Sequence, residues 1–488
     1  MYLRTIGRRN KDGSEVRYVQ LAHNEWDPQR KMSVARVIHS FGREDRLDRA
    51  GLARLVRSLS RVLEPEQALI ATAPAELEFV GSAPVGGAWA LDGLWRQLGI
   101  DAAIERLLGE RRLDVRAERL LFALVANRAL APFSKLACCE WLAGDVAIPG
   151  LAGEAVGEDP QPLYRAMDWL LEIEAQLAEQ VYWATADLLN LEVDLLFFDT
   201  TSTYFERDEP DGERVDEDGV TRAPFRVFGH SKDHRVDLPQ VVVGMAVTRT
   251  GIPIRAWCWP GNTGDQPLIR QVKDELRDWK LSRVVWVADR GFQSAENRRY
   301  LQRAGGHYII GEKLRGDSKE AHAALARQGR YRTVAGNLEV KEVRVDDGTM
   351  RDRFVICRNP DQADRDKTVR DQIVAQLEDA IKGSDQLSAD ERATLAARLQ
   401  TKRGLKRFLR QTPGGLLRID RAAVRAEAHL DGKFLLRSSD PTLTAEDIAL
   451  GYKQLLQVER GWRDMKTTLD LRPVHHRKED RIRAHVQL

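Results

Sequence analysis

Cysteine is scarce. The 488 residues contain four, none in a CxxC pair and two adjacent at Cys138 and Cys139, which excludes a disulfide framework and a cysteine-held zinc site. Any metal must therefore be held mostly by oxygen. No run reaches the ~18 apolar residues of a membrane helix, and Met1 to Val16 has no apolar stretch able to act as a signal peptide. A cytoplasmic location is expected. A charge excess of one sign is also missing: 76 basic residues face 74 acidic ones, for a net charge of +2. Internal repeats and low-complexity tracts are absent as well.

What is there is a globular composition, 43% apolar and 31% charged. A chain this long exceeds the ~250 to 300 residues at which single cores stop growing, so two or more domains are expected. The charges are balanced in total but not in place. Thr401 to Ala426 carries Lys402, Arg403, Lys406, Arg407, Arg410, Arg418, Arg421 and Arg425 against only Asp420, and a second basic stretch runs from Arg460 to Arg483 with His475 and His476. Each run alone reads as a solvated face; two of them flanking a candidate site point to nucleic acid.

Residues 1–80 read as a small mixed unit, with a strand at Val16 to Leu21, a helix at Leu47 to Leu63 and a linker at Ala71 to Pro74. Residues 85–190 have helical spacing, clearest along Leu120 to Leu130 and Leu163 to Leu189. The period changes at Val193. A buried strand is expected from Val193 to Phe198, ending at Asp199, followed by strands at Gln240 to Thr248 and Ile252 to Trp259. Then come a helix at Gln266 to Lys280, a strand at Arg283 to Ala288 ending at Asp289, a helix at Ser294 to Ala304 and a strand at His307 to Ile310. Three strands, helix, strand, helix, strand is the element order of an RNase H-like α/β core, here assigned to residues 191–315. The stretch 316–435 is too long for a connection and reads as a β-containing insertion domain, with strands near Leu338 to Val345 and Phe354 to Cys357; the core resumes over 436–488.

Acids at the ends of buried strands must be paired or bound to a metal, which makes Asp199 and Asp289 candidates. For either one alone a turn cap is the bland alternative. Asp194, the rival to Asp199, opens the strand and is expected to point away, and Asp265 reads as the cap of the helix that follows it. A helix over Tyr452 to Leu469 places Tyr452, Glu459 and Lys466 seven residues apart on one face, with Arg463 one turn beyond Glu459 and Trp462 as packing. Three carboxylates suit Mg²⁺. Two such ions about 3.5 to 4 Å apart can serve an in-line displacement at phosphorus. Tyr452, Arg463 and Lys466 then become candidates to grip DNA phosphates, and so do Lys232, His234 and Arg235 in the turn before Gln240.

These residues resemble the DDE transposases of bacterial insertion sequences, in the group with a Tyr-Arg-Glu-Lys signature: Tyr, two residues, Arg, three residues, Glu, six residues, Lys. Tyr452, Glu459 and Lys466 fit that spacing, while Leu455 stands at the Arg position. Gly229-His230-Ser231-Lys232-Asp233, Asp237-Leu238-Pro239-Gln240, Pro260-Gly261-Asn262-Thr263, Ala288-Asp289-Arg290-Gly291 and Arg472-Pro473-Val474-His475 add to the resemblance. It is strongest over 194–315 and 430–488. It implies Asp199, Asp289 and Glu459 as catalytic metal ligands for two Mg²⁺ ions, with Mn²⁺ able to substitute. It further implies an N-terminal region that binds terminal inverted repeats, cleavage of the element's ends, strand transfer into target DNA and a homo-oligomeric synaptic complex, in a nucleoid-associated protein.

Two rival readings stay open. One is a Mg²⁺-dependent nuclease of the same fold; the other is a non-catalytic DNA-binding relative. The sequence stops inside a helix that begins near Asp480, where relatives continue with another apolar helix, so a truncated product is expected.

Overall fold

The computed structural model describes residues 1–10, 13–63, 82–109, 117–152, 156–189, 195–215, 219–279, 281, 284–316, 318–346 and 351–488. The linker expected at Ala71 to Pro74, and Asp194, lie outside them. The chain forms two compact units, Met1–Ala83 and Pro84–Leu488.

In the first unit β1 (Tyr2–Arg9), β2 (Glu15–Asp27) and β3 (Met32–Arg43) make an antiparallel meander. The helix α1 (Arg49–Leu63) follows with Arg49, Arg54, Arg57 and Arg61 and no acid. Its apolar Leu55, Val56 and Leu59 are exposed.

The second unit begins with helices: α2 (Gly86–Gln97), α3 (Ile100–Leu108), α4 (Ala117–Leu130), α5 (Lys135–Glu140) and the 29-residue α6 (Gln161–Leu189). Leu120, Leu121, Phe122, Ala123 and Leu124 are all buried, so α4 is covered on nearly every side, and its buried Arg119 is paired with Glu118 and Asp92. Among the described residues no single helix is long and apolar enough to cross a membrane.

A nine-stranded mixed sheet follows. In chain order its strands are β4 (Leu195–Tyr204), β5 (Gln240–Val247), β6 (Pro253–Pro260), β7 (Val285–Ala288), β8 (His307–Glu312), β9 (Arg332–Ala335), β10 (Leu338–Asp346), β11 (Arg351–Arg358) and β12 (Lys433–Ser438). Their spatial order is β9-β10-β11-β12-β8-β7-β4-β5-β6. Only β7 pairs in parallel, with β4 on one side and β8 on the other. β5 is buried at all eight positions because it lies inside the sheet with both faces covered. One face carries Leu195, Phe197, Val243, Met245 and Val287 under α11 (Ala445–Lys453) and α12 (Leu456–Thr467). The other carries Leu196, Phe198, Ala246 and Trp286 under α7 (Asp265–Leu276) and α8 (Ala295–Gln302). The final helix, α13 (Glu479–Gln487), packs on α6 and β6.

Three expectations change. Asp199 does not end its strand: β4 runs five residues further, to Tyr204, because the backbone of Thr200 to Tyr204 keeps pairing with β5 and Thr and Tyr favour strands. The helix expected over Tyr452 to Leu469 is two helices. At the break Leu455 N–H donates to the Tyr452 carbonyl, Gln457 to Gln454 and Val458 to Leu455, tighter i→i−3 bonds that turn the chain between Tyr452 and Glu459. Finally, the stretch 316–435 does not lie wholly apart from the core. Its strands β9 to β11 extend the core sheet through β12, which pairs with both β8 and β11. Two portions have small cores of their own, one where α9 (Lys319–Ala326) meets Val343, Phe354 and Ile356, the other around Val374 and Leu377 of α10 (Pro360–Ile381) with Leu399, Phe408 and Leu417. There the basic run is partly neutralised, since Arg407, Arg418 and Arg421 pair with Glu427, Asp385 and Glu378.

Candidate active site

The parallel ladder between β4 and β7 runs from Leu195↔Val285 to Phe198↔Ala288, so the next residue on each strand is an aspartate, Asp199 and Asp289. Phe198 and Ala288 belong to the α7/α8 face, so by alternation the two aspartates fall on the α11/α12 side of the sheet. Asp199 is mostly covered, and that burial pushes its carboxyl up to about 6, with the charges of Asp289 and Asp265 adding to the rise. The Lys232 ammonium, 3.6 Å from Asp199 Oδ1, and the Thr200 N–H oppose it. Asp289 accepts from the Arg290 N–H at 2.6 Å, capping the short turn Arg290–Phe292.

Asp265 belongs to this cluster, which the sequence reading missed. It is the first residue of α7, the cap position is Gly264, and its side chain makes no capping bond. Instead Asp265 Oδ1 accepts from Thr200 Oγ1 at 2.6 Å, and Oδ2 lies 3.8 Å from the Lys232 ammonium. The signal available in sequence was weak: an acid at the start of a helix already preceded by glycine, so no side-chain cap was owed there.

Lys232 sits in the loop before β5, where its N–H donates to Ser202 Oγ and its ammonium donates to the Thr200 carbonyl and hydroxyl, each at 2.6 Å. The loop is fixed by two glycines. A Cβ on Gly229 would strike the Gly261 carbonyl, and one on Gly261 would strike the carbonyls of Gln240 and Val227. Gln240 Nε2 closes this junction by donating to the Gly261 carbonyl at 2.9 Å.

The α11/α12 segment supplies the remaining candidates. Tyr452 Oη donates to Asp289 Oδ1 at 3.4 Å, and burial together with that carboxylate holds the phenol well above its usual range. Gly311 makes room for it, since a Cβ there would sit 2.5 Å from Tyr452 Oη. Along α12, Gly461 lies against Met245, the partner of Asp199, and Lys466 donates to Thr201 Oγ1 and Asp233 Oδ1, each at 2.9 Å. The helix thus follows β4. Glu459, in the first turn, is exposed and lies two turns before Lys466 on the same flank. Arg463 is exposed too, and Trp462 is buried in the core. Leu455 is half-buried among apolar side chains.

Beyond the acids, Asp233 also accepts from Arg472 at 3.1 Å, and Tyr204 is flanked by the guanidinium groups of Arg235, 5.1 Å from its ring centre, and Arg472, at 4.7 Å. Arg235 pairs with Asp237 at 2.8 Å. The structure therefore gathers Asp199, Asp289, Asp265, Lys232 and Tyr452. Glu459 stays outside: among the described residues no three Asp, Glu, His or Cys side chains lie close enough to enclose a metal ion.

An α/β sheet with two aspartates side by side at the close of a parallel strand pair, and a helix bearing Glu459 laid along the first strand, defines the RNase H-like class. Within that class, residues 212–488 match the family described as transposase DDE domain, and residues 3–69 match the N-terminal domain of IS1634 family transposases. The chain belongs to the DDE transposases of insertion sequences. No curated protein matches. Among solved structures, a cryo-EM structure of piggyBac transposase in a synaptic complex with hairpin DNA is 11% identical, with 82% of this chain and 72% of that chain covered at a TM-score of 0.35. Mos1 transposase in a paired-end complex with the left transposon end is 11% identical, with 53% and 76% covered at a TM-score of 0.16.

Proposed function

We propose that this transposase binds the terminal inverted repeats of its own insertion sequence, hydrolyses the DNA at those ends with two divalent cations, and transfers the freed strands into target DNA. The observation that carries the reading is the pair of aspartates closing the β4/β7 ladder, one of them pushed up to about 6 by burial and by neighbouring acids. Such a concentration of carboxylate oxygen fits a hard divalent cation, Mg²⁺ first and Mn²⁺ as a substitute. Asp199 and Asp289 would hold the ions, with Glu459 to be carried in from the exposed first turn of α12, and bound ions would activate the attacking water or hydroxyl and stabilise the leaving oxygen.

The protein's own groups do the rest. Tyr452 donates to Asp289 and so fixes how that carboxylate is turned. Lys232 offsets the charge of Asp199 and Asp265, and can exchange that contact for a phosphate oxygen as the backbone arrives. Lys466, held at Thr201 by Asp233, Arg463 on the exposed side of α12, and Arg235 at Tyr204 supply further phosphate contacts. The N-terminal unit, with the arginines of α1, recognises the repeats, and copies of the chain pair the two ends.

The test uses the full chain and a linear duplex containing the DNA that flanks its coding sequence, with MgCl₂ or EDTA. Wild type cuts only with the divalent ion, and with a plasmid target it joins the cut strand. Equal cutting by Asp289→Ala would sink the site, and cutting without joining would leave a nuclease.

A further inference from the structure

A second basic feature lies outside the carboxylate site. Between the end of α4, the start of α5 and the loop 470–476 is a cavity of about 410 Å³ lined by Arg128, Lys135, Tyr164, Arg472, His475 and His476, with Asp470 its one acid. Lys135 is only 4% exposed. Among the described residues its ammonium has no hydrogen-bond or ion-pair partner, and the neighbouring Arg128 cation disfavours its charge further. Arg128 is occupied: it donates to the carbonyls of Leu469 and Asp470 and to the ring of His485. An unpaired ammonium on so covered a residue is disfavoured unless an anion meets it.

We propose that this cavity receives one backbone phosphate of the DNA, with the Lys135 ammonium as the charge that meets it. This rests on the reading that the chain binds DNA. Two observations favour a strand over a free anion. Arg472, in the cavity wall, bonds Asp233, which holds Lys466 against Thr201, two residues from Asp199, so the cavity adjoins the carboxylate site. At the rim Phe133 is 51% and Leu136 57% exposed, apolar surface that suits sugar and base rather than a bare ion. Burial lowers Lys135 to about 8 and His476 to about 3, so at neutral pH the histidine is uncharged while the lysine still carries most of its charge. An entering phosphate returns Lys135 toward its ordinary value.

The experiment measures binding of the full-length protein to the flanking-sequence duplex by fluorescence anisotropy across a salt series, for wild type and Lys135→Met. The variant is expected to bind about tenfold more weakly, the value of one charged hydrogen bond. Its log–log salt slope is expected to be shallower by about 0.9, one phosphate's worth. Replacing single phosphates by neutral methylphosphonates should reveal one position that weakens wild type and leaves Lys135→Met unchanged. Without DNA the variant should melt no lower than wild type, because an unpaired cation is gone. If the methionine variant does not fold, acetylation of Lys135 by acetic anhydride is followed in wild type by mass spectrometry. Protection by the duplex supports the proposal, and equal labelling with and without DNA overturns it. Equal affinity and slope for the two proteins overturns it while DNA binding stands. Stabilisation of wild type alone by inorganic phosphate, with DNA affinity unchanged, also overturns it and leaves a free-anion site. Failure of wild type to bind the duplex at all removes the underlying reading instead.

Discussion

At the scale of single residues, Asp199 is held in a state its surroundings disfavour. Its carboxyl titrates near 6 rather than near 3.8, so in the folded chain the proton is bound more tightly than in the unfolded one. Stability from that proton is present below about pH 4 and is lost as pH rises through 6. We therefore expect that in EDTA Asp199→Asn melts above wild type at pH 7, by on the order of 2 to 3 kcal/mol, and that the gap closes near pH 4. Thermal melts at both values check this. Divalent cation should raise the melting temperature of wild type and not of the variant. The same variant is expected to keep DNA binding and lose cleavage in a gel assay; loss of both together would identify a structural aspartate. That Asp199 and Asp289 lie side by side was legible because each follows a short apolar run on strands of one expected core, although a turn cap explains either one alone. Asp265 was not, since an acid at a helix start is ordinary and only the tertiary approach of Thr200 and Lys232 gives it another meaning.

At the scale of elements, the short motifs around Gly229 and Gly261 prove to be backbone contacts. Two chain segments meet there without side chains between them, and that junction fixes the loop carrying Lys232. Gly261→Ala should cost about 3 kcal/mol or more, because the colliding atoms are carbonyls that cannot swing aside; urea unfolding measures it. Gly311→Ala is a contrasting case. The added carbon meets the Tyr452 hydroxyl, so cleavage should fall while the unfolding midpoint changes less than for Gly261→Ala. The core strands and helices from Gln240 to Ile310 were readable from period and turn chemistry to within a few residues. The break at Gln454 and Leu455 was not, because no glycine or proline marks it and the tightened turn is imposed by packing on two different parts of the sheet.

At the scale of the molecule, the chain is two units, each with its own sheet. Removal of residues 1–83 is expected to leave a unit that melts cooperatively and retains the carboxylate site, while discrimination between the flanking duplex and an unrelated one is lost. Circular dichroism and competition gel shifts read the two halves of that statement. In the large sheet the pairing of the stretch 316–435 is of a kind that local sequence does not reveal. β12 inserts between β8 and β11, and no local pattern reveals that strands from beyond residue 330 pair back onto the core through a strand that follows them by some 75 residues, from Arg358 to Lys433.

That same sheet sets a timetable. Asp199 and Asp289 are laid down by the ribosome well before Glu459, which comes 170 residues after Asp289, and β12 with the two helices that cover the aspartates is made later than every other strand. At about 5 to 20 residues per second, a nascent chain spends many seconds with both aspartates made and their covering helices still unmade. The site proposed to draw Glu459 to these aspartates therefore stays incomplete until that helix has been made. Only a chain read through α11 and α12 carries all three residues proposed to act on DNA.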